Sequence, residues 1–136
     1  MWKVMAADDE GYIREALQKL MNWEKMGCRL DAVVSDGQEL IEQMQMEHPD
    51  IVITDIQMPG MDGLEVCKHI YETSPEIQVI ILTAYSNFEY AKTAIKYSAC
   101  EYVLKVSIMD ELPRAVEKAI KKLSQSRNEM EKLEEN

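Results

Sequence analysis

Five short runs of β-branched and apolar residues, at 2–7, 30–34, 51–54, 79–83 and 102–104, punctuate the chain. Between them lie longer stretches, at about 10–22, 36–47, 63–73, 87–97 and 109–123, where apolar residues return every three or four positions, as Leu40, Ile41 and Met44 do. The alternation predicts five strand–helix units. Ile51-Val52-Ile53 and Val79-Ile80-Ile81-Leu82 have no polar alternation, as expected of central strands in a parallel sheet covered by helices on both faces. Ser35 or Asp36 is placed to cap the second helix, Ser86 or Asn87 the fourth and Ser107 the fifth, with Pro113 close enough to that helix's start to be tolerated. The fold class expected is doubly wound α/β.

A chain of 136 residues, 46% hydrophobic, has the size and core content of one domain, here residues 1–123. Residues 124–136 turn strongly polar and are expected to form a helical extension or the start of a linker. Val116, Ile120, Leu123 and Met130 approach a 3,4 spacing that could continue the fifth helix as a short coiled coil. Arg127 interrupts that seam, and a solvated helix end fits about two heptads better. A formal charge of −10 argues against direct contact with nucleic acid, which requires a cationic footprint. Cys28, Cys67 and Cys100 are odd in number and far apart, with no Cys-x-x-Cys pair and no histidine in a pattern that suggests zinc, the usage of inert buried thiols in a reducing compartment. No apolar run approaches the roughly 20 residues of a membrane span, and no signal-peptide pattern opens the chain, so a cytoplasmic location without membrane contact is expected. His48 and His69 read as surface residues, and the ten methionines as fillers of core and helix faces.

In an open parallel sheet, ligands bind beyond the carboxyl ends of the strands. Those ends carry Asp8 and Asp9 after the first strand, Asp55 after the third, Thr83 on the fourth and Lys105 after the fifth. Taken singly, each has an ordinary explanation as a cap, a strand-end hydroxyl or a solvated charge. Together, three carboxylates would raise one another's pKa unless a hard divalent cation neutralised them, and Mg²⁺ takes oxygen ligands of this kind. A carboxylate left over can attack phosphorus to give an acyl phosphate, with a lysine and a hydroxyl binding the charge on the transferred group.

The loop after the third strand reads Asp55-Ile56-Gln57-Met58-Pro59-Gly60-Met61-Asp62-Gly63, with Pro59 and two glycines shaping a turn. With the acidic pair, the Thr83-Ala84 step and Lys105, this run resembles the phosphoacceptor loop of response-regulator receiver domains, over residues 2–123. Asn22-Trp23-Glu24, Thr83-Ala84-Tyr85-Ser86 and Tyr90-Ala91-Lys92 are similar to members whose full-length chains carry an AraC-type DNA-binding domain. The resemblance implies a flavodoxin-like (βα)5 fold with strand order 2-1-3-4-5. It makes Asp55 the phosphoacceptor, and Asp9, Asp55 and the Gln57 backbone carbonyl the Mg²⁺ ligands, with Asp8 acting through metal-bound water. Thr83 and Lys105 would bind the arriving phosphoryl group, and Tyr102, by itself read as a strand residue packing its ring, would turn inward as Thr83 moves. The implied partners are a sensor histidine kinase as donor and a second copy across the fourth helix, fifth strand and fifth helix. Ending without a basic helix-turn-helix pattern, the chain resembles a receiver excised from a longer transcription regulator, with a stand-alone receiver as the alternative.

Two positions depart from the family pattern. Lys105 is followed by Val106 where relatives usually carry a cis proline, and a cis bond to valine would cost about 3–4 kcal/mol, so a trans bond is expected. Ser98 stands where many relatives have glycine after the fourth helix, at a place that often needs positive φ. Gln57 and Tyr85 occupy positions that in the family govern attack of water on the phosphoryl group, and the bulk of Tyr85 suggests slow self-dephosphorylation. Three rival functions fit the residues less well. A haloacid-dehalogenase-type phosphatase needs a second aspartate where Gln57 stands. A flavin or small-ligand module needs a glycine-rich cradle where Ala7-Asp8-Asp9-Glu10 stands. A phosphate-independent interaction module would not need the complete acidic, threonine and lysine set.

Overall fold

Five parallel strands alternate with helices in the computed structural model, which describes residues 1–135. In chain order the elements are β1 (Trp2–Ala7), α1 (Gly11–Lys19), β2 (Cys28–Val34), α2 (Gly37–Met46), β3 (Ile51–Thr54), α3 (Gly63–Thr73), β4 (Gln78–Thr83), α4 (Phe88–Lys96), β5 (Glu101–Leu104) and α5 (Ile108–Glu135). The sheet order is β2-β1-β3-β4-β5, as the resemblance implied. The strand order reverses between β1 and β3, so the ends of these neighbours form the crevice in which such folds bind ligands.

Successive side chains of a strand point to opposite faces, and the apolar runs therefore feed two cores. Val4 and Ala6, Ile51 and Ile53, and Ile80 and Leu82 pack on one face against Ile13 and Leu17 of α1 and Leu112, Val116 and Ala119 of α5. Met5, Val52, Val79 and Ile81 pack on the other face against Leu40 of α2, Val66 and Ile70 of α3 and Ala94 of α4. α4 is the more lightly seated helix: Ala94 is its buried residue, while Phe88 and Ile95 are exposed. The three cysteines are free and buried, as expected.

Helix ends differ from the sequence expectation where side chains compete for backbone groups. α1 stops at Lys19, not near residue 22, because the buried indole of Trp23 donates to the Leu17 carbonyl at 2.7 Å and turns the chain under the helix. Asp36 and Asn87 are the caps of α2 and α4, accepting from the amides of Glu39 and of Glu89 and Tyr90. Asp62 caps α3 in the same way, accepting from Glu65 at 2.8 Å. Ser107 does not cap α5 in the expected manner. It closes a 3-10 turn, Lys105–Ser107, that runs straight into the helix, and α5 continues through Pro113.

α5 extends well past residue 123 to Glu135, with the Arg127 guanidinium over the Trp2 ring at 4.5 Å from its centroid. That contact ties the start of the polar extension to the amino end of β1. Asn136, the last residue of the expected extension, lies outside the described residues. No helix among the described residues is long and apolar enough to cross a membrane.

Val106 leaves its peptide bond trans, as expected, and Ser98 keeps a left-handed turn in spite of its Cβ. There is no cis peptide among the described residues, so Lys105–Val106 is trans, and Ser98 has φ 58°. The left-handed Ser98 lets the next amide, Ala99 N–H, return to the Ala94 carbonyl at 2.9 Å and close the end of α4. Replacing Ser98 by glycine is expected to stabilise the protein by about 0.5–1 kcal/mol, because glycine enters this region without a Cβ penalty. Chemical denaturation of the two proteins checks this, and equal midpoints would contradict it.

Candidate phosphoacceptor site

β1 and β3 end side by side, with Ala7 paired to Thr54, so the residues that follow them emerge together at the rim of the sheet. Asp8 follows β1 and is fully buried; Asp55 follows β3 and is 5% exposed. The backbone continues the register one step further, since Asp55 N–H donates to the Ala7 carbonyl at 2.9 Å. The Asp55 side chain is oriented from its own loop, where Ile56 N–H donates to Oδ1 at 2.8 Å. Thr54 adds a buried hydroxyl that donates to the Asp55 carbonyl at 2.9 Å.

Lys105 arrives from the far end of the sheet, two strands away from β3. Its ammonium donates to Asp55 Oδ2 at 3.0 Å and to Asp8 Oδ1 at 3.2 Å, with the lysine side chain 7% exposed. A third carboxylate, Glu10 at the start of α1, also takes a hydrogen bond from Lys105. The sequence reading placed Asp8, Asp55 and Lys105 in the site and overlooked Glu10. Its signal was its place directly after the acidic pair, where the first turn of α1 points it back at the strand ends.

Burial makes the site electrostatically tense. Desolvation lifts the Asp55 carboxyl to about 6, against the opposing hydrogen bond from Lys105, and the neighbouring Asp8 charge adds to the rise. Burial likewise raises Asp8. The Lys105 hydrogen bond, helped by Tyr12, lowers Glu10. Burial works against the charge of Lys105, but its bonds to Glu10, Asp8 and Asp55 outweigh that and hold its pKa above the ordinary lysine value.

Asp8, Asp9, Glu10 and Asp55 can each aim one oxygen into a space within which all four atoms lie within 4.8 Å of one another. Asp9 is exposed and shares a groove with Ile56, Gln57 and Met58, which puts the Gln57 backbone on the same side of the cluster. The buried Asp8 Oδ2 lies 2.9 Å from the Lys105 ammonium but outside hydrogen-bonding geometry, and it has no hydrogen-bond partner. A buried anionic oxygen that shares its lysine with two other acids, and has three more oxygen donors beside it, suits a hard divalent cation such as Mg²⁺, which prefers this donor set.

Thr83 ends β4 and is fully buried, with its hydroxyl accepting from Tyr85 N–H at 3.2 Å. Tyr102 on β5 is half-buried and donates its phenol to the Tyr85 carbonyl at 2.8 Å. The two residues thus hold the same short segment from opposite ends. Tyr85 itself is 51% exposed, and the Gln57 amide donates to the Tyr90 hydroxyl at 3.3 Å, joining the β3–α3 loop to α4. His48 and His69 lie away from the site, and His48 pairs with Glu76 at 3.0 Å.

Comparison with known proteins identifies the family and the fold. A family model described as the response regulator receiver domain matches residues 4–117. The transcriptional regulatory protein YesN of Bacillus subtilis is 39% identical over 123 residues, which are 90% of this chain and 33% of YesN. The receiver domain of AraT, a response regulator from Geobacillus stearothermophilus, superposes with a TM-score of 0.78 at 34% identity, covering 95% of this chain and 98% of that one. A CheY-like receiver domain protein from Methanospirillum hungatei shares the fold, with a TM-score of 0.79 at 21% identity over 92% of this chain and 98% of its own. The chain spans a third of the length of YesN and about two fifths of that of a response regulatory protein from Staphylococcus epidermidis.

Proposed function

The chain belongs to the receiver domains of response regulators, and from that premise we propose that it accepts a phosphoryl group on Asp55 from a sensor histidine kinase. The observation that carries this reading is Lys105, which crosses the sheet to bond both Asp55 and Asp8 inside a buried carboxylate cluster. A structural ion pair needs one acid; this lysine sits among three, two of them buried.

In the proposed reaction an Asp55 oxygen attacks the phosphorus of a phosphohistidine. An O–P bond forms, the N–P bond breaks, and its electron pair returns to the imidazole nitrogen. Ile56 N–H fixes the attacking carboxylate, and Lys105 moves from the Asp55 oxygen to an oxygen of the incoming group. The Thr83 hydroxyl binds a second phosphoryl oxygen. Asp9, Asp55 and the Gln57 carbonyl would hold Mg²⁺ directly and Asp8 would hold it through water; when bound, the ion would neutralise the cluster and polarise the transferred group.

Thr83 and Tyr102 share Tyr85 as a partner, so drawing Thr83 toward a phosphoryl oxygen pulls on the segment whose carbonyl receives the Tyr102 phenol. Released from that bond, the ring turns inward. The lightly seated α4 then shifts population between two arrangements, and the face of α4, β5 and α5 is the surface read by a second copy. The domain is a cytoplasmic signalling module, not a turnover enzyme. In the longer protein it controls transcription through a separate output domain, of the AraC type that the sequence resemblance suggests.

Incubation with acetyl phosphate and Mg²⁺, followed by intact mass measurement, tests the reading. The expected result is a gain of one phosphoryl group that needs Mg²⁺ and disappears in Asp55→Asn. Absence of any gain would leave a phosphate-independent interaction module, and repeated turnover of a generic phosphate ester would favour a phosphatase.

A further inference from the structure

We infer that Glu10 is a positioning residue for Lys105, holding the ammonium at the site while Asp55 reacts; this deepens the phosphoacceptor reading and rests on it. The starting point is the backbone around Lys105. The residue opens a 3-10 turn with a trans bond to Val106, and Val106 is 90% exposed, so its side chain braces nothing. Burial packs the lysine stem, which is 7% exposed, but its four rotatable bonds still leave the ammonium to be aimed. That aim comes from the acceptors of its three N–H bonds. These are Asp8, Asp55 and Glu10.

The three acceptors differ in what the reaction does to them. Asp55 is consumed by esterification. Asp8 has both oxygens near the ammonium and sits buried in the carboxylate cluster, so its charge is shared once a cation fills that cluster. Glu10 lies at the more exposed edge of the same cluster, is not among the residues proposed above to hold Mg²⁺, and is the partner that can stay. Its amide donates to Asp8 Oδ1 at 2.9 Å, which pins the start of α1 to the cluster, and its carboxylate reaches Lys105 from the more exposed side. The phenol of Tyr12 interacts with that carboxylate in turn. Glu10 thus keeps a single negative charge behind the ammonium, aiming it at the place where charge on the phosphoryl oxygens develops.

The test compares initial rates of phosphorylation by acetyl phosphate at saturating Mg²⁺ with Mg²⁺ affinity measured separately by intrinsic fluorescence. Glu10→Gln, which keeps the shape and loses the charge, is expected to react about tenfold more slowly, the scale of one charge-assisted hydrogen bond reduced by partial exposure. Tyr12→Phe, at an exposed position that does not threaten folding, is expected to slow the reaction about threefold. In a Lys105→Ala background the Glu10→Gln change is expected to lose less than about twofold more, because its partner is gone.

An unchanged or faster rate in Glu10→Gln would overturn the inference. So would full rescue of that variant by added Mg²⁺, which would make Glu10 a metal ligand, or an undiminished loss in the Lys105→Ala background, which would make its effect merely structural. Failure of the wild-type protein to take up phosphate would instead remove the phosphoacceptor reading, and this inference with it.

Discussion

Without metal at neutral pH, the Asp55→Asn variant is expected to be more stable than the wild-type protein by about 1–2 kcal/mol, a gain of several degrees in Tm for a domain of this size. The reasoning is linkage. Burial raises the Asp55 carboxyl from 3.8 to about 6, so between those values the folded protein binds a proton that the unfolded chain has released. Stability therefore falls as pH rises through that window, and the penalty is complete above it. A rise of that size corresponds to at most about 3 kcal/mol, and the asparagine forfeits the charge-assisted bond from Lys105, which reduces the net gain. Lys105 keeps Asp8 and Glu10, so no buried cation is orphaned.

The pH profile separates this mechanism from simple repacking. At pH 4 both proteins carry a neutral group at position 55, and the difference is expected to vanish. Millimolar Mg²⁺ at pH 7.5 is expected to raise the wild-type Tm and to raise that of the variant much less, since a ligand stabilises only the state that binds it. Thermal unfolding at the two pH values, with and without Mg²⁺, checks both expectations. A variant less stable than wild type at pH 7.5 would mean that the cluster holds the fold together and is not a strained binding site.

The parts of the fold that were legible are those set by periodicity. Ile51-Val52-Ile53 and Val79-Ile80-Ile81-Leu82 occupy central strands because a parallel sheet buried on both faces accepts no polar position. What escaped were boundaries settled by side chains acting at a distance along the chain. The end of α1 depends on Trp23 reaching back six residues to the Leu17 carbonyl, a contact that no helical period announces. The start of α5 depends on a 3-10 turn at Lys105–Ser107, where the serine was expected to act as a simple cap.

The site divides in the same way. The meeting of Asp8, Asp55 and Lys105 was legible because strand ends in this topology converge, so polar residues after apolar runs stand out. Glu10 was not, since its role depends on a rotamer that carries its carboxylate back to the Lys105 ammonium. The double hold on Tyr85 was equally hidden: the sequence marks Thr83 and Tyr102, but the residue that joins them contributes only its backbone.

The other large effect expected is at Gly63, the first residue of α3, where alanine should cost about 3 kcal/mol or more and also impair phosphorylation. A Cβ built at Gly63 would stand 1.8 Å from the Asp55 carbonyl oxygen, 2.7 Å from its carbon and 3.0 Å from the Ile56 Cα. All three are backbone atoms and cannot rotate aside. Either α3 must retreat from the end of β3 or the phosphoacceptor loop must bend. Both responses strain the 2.8 Å hydrogen bond from Gly63 N–H to the Ile56 carbonyl, and with it the amide of Ile56 that orients Asp55. Gly60, three residues earlier, is the control. Its φ of +73° favours glycine, but a Cβ there meets open space, so Gly60→Ala is expected to cost about 1 kcal/mol from conformation alone. Urea unfolding of the two variants separates close approach from backbone preference. Equal costs at 60 and 63 would show that α3 yields easily, and that the tight seam between helix and strand end is not what sets the position of Asp55.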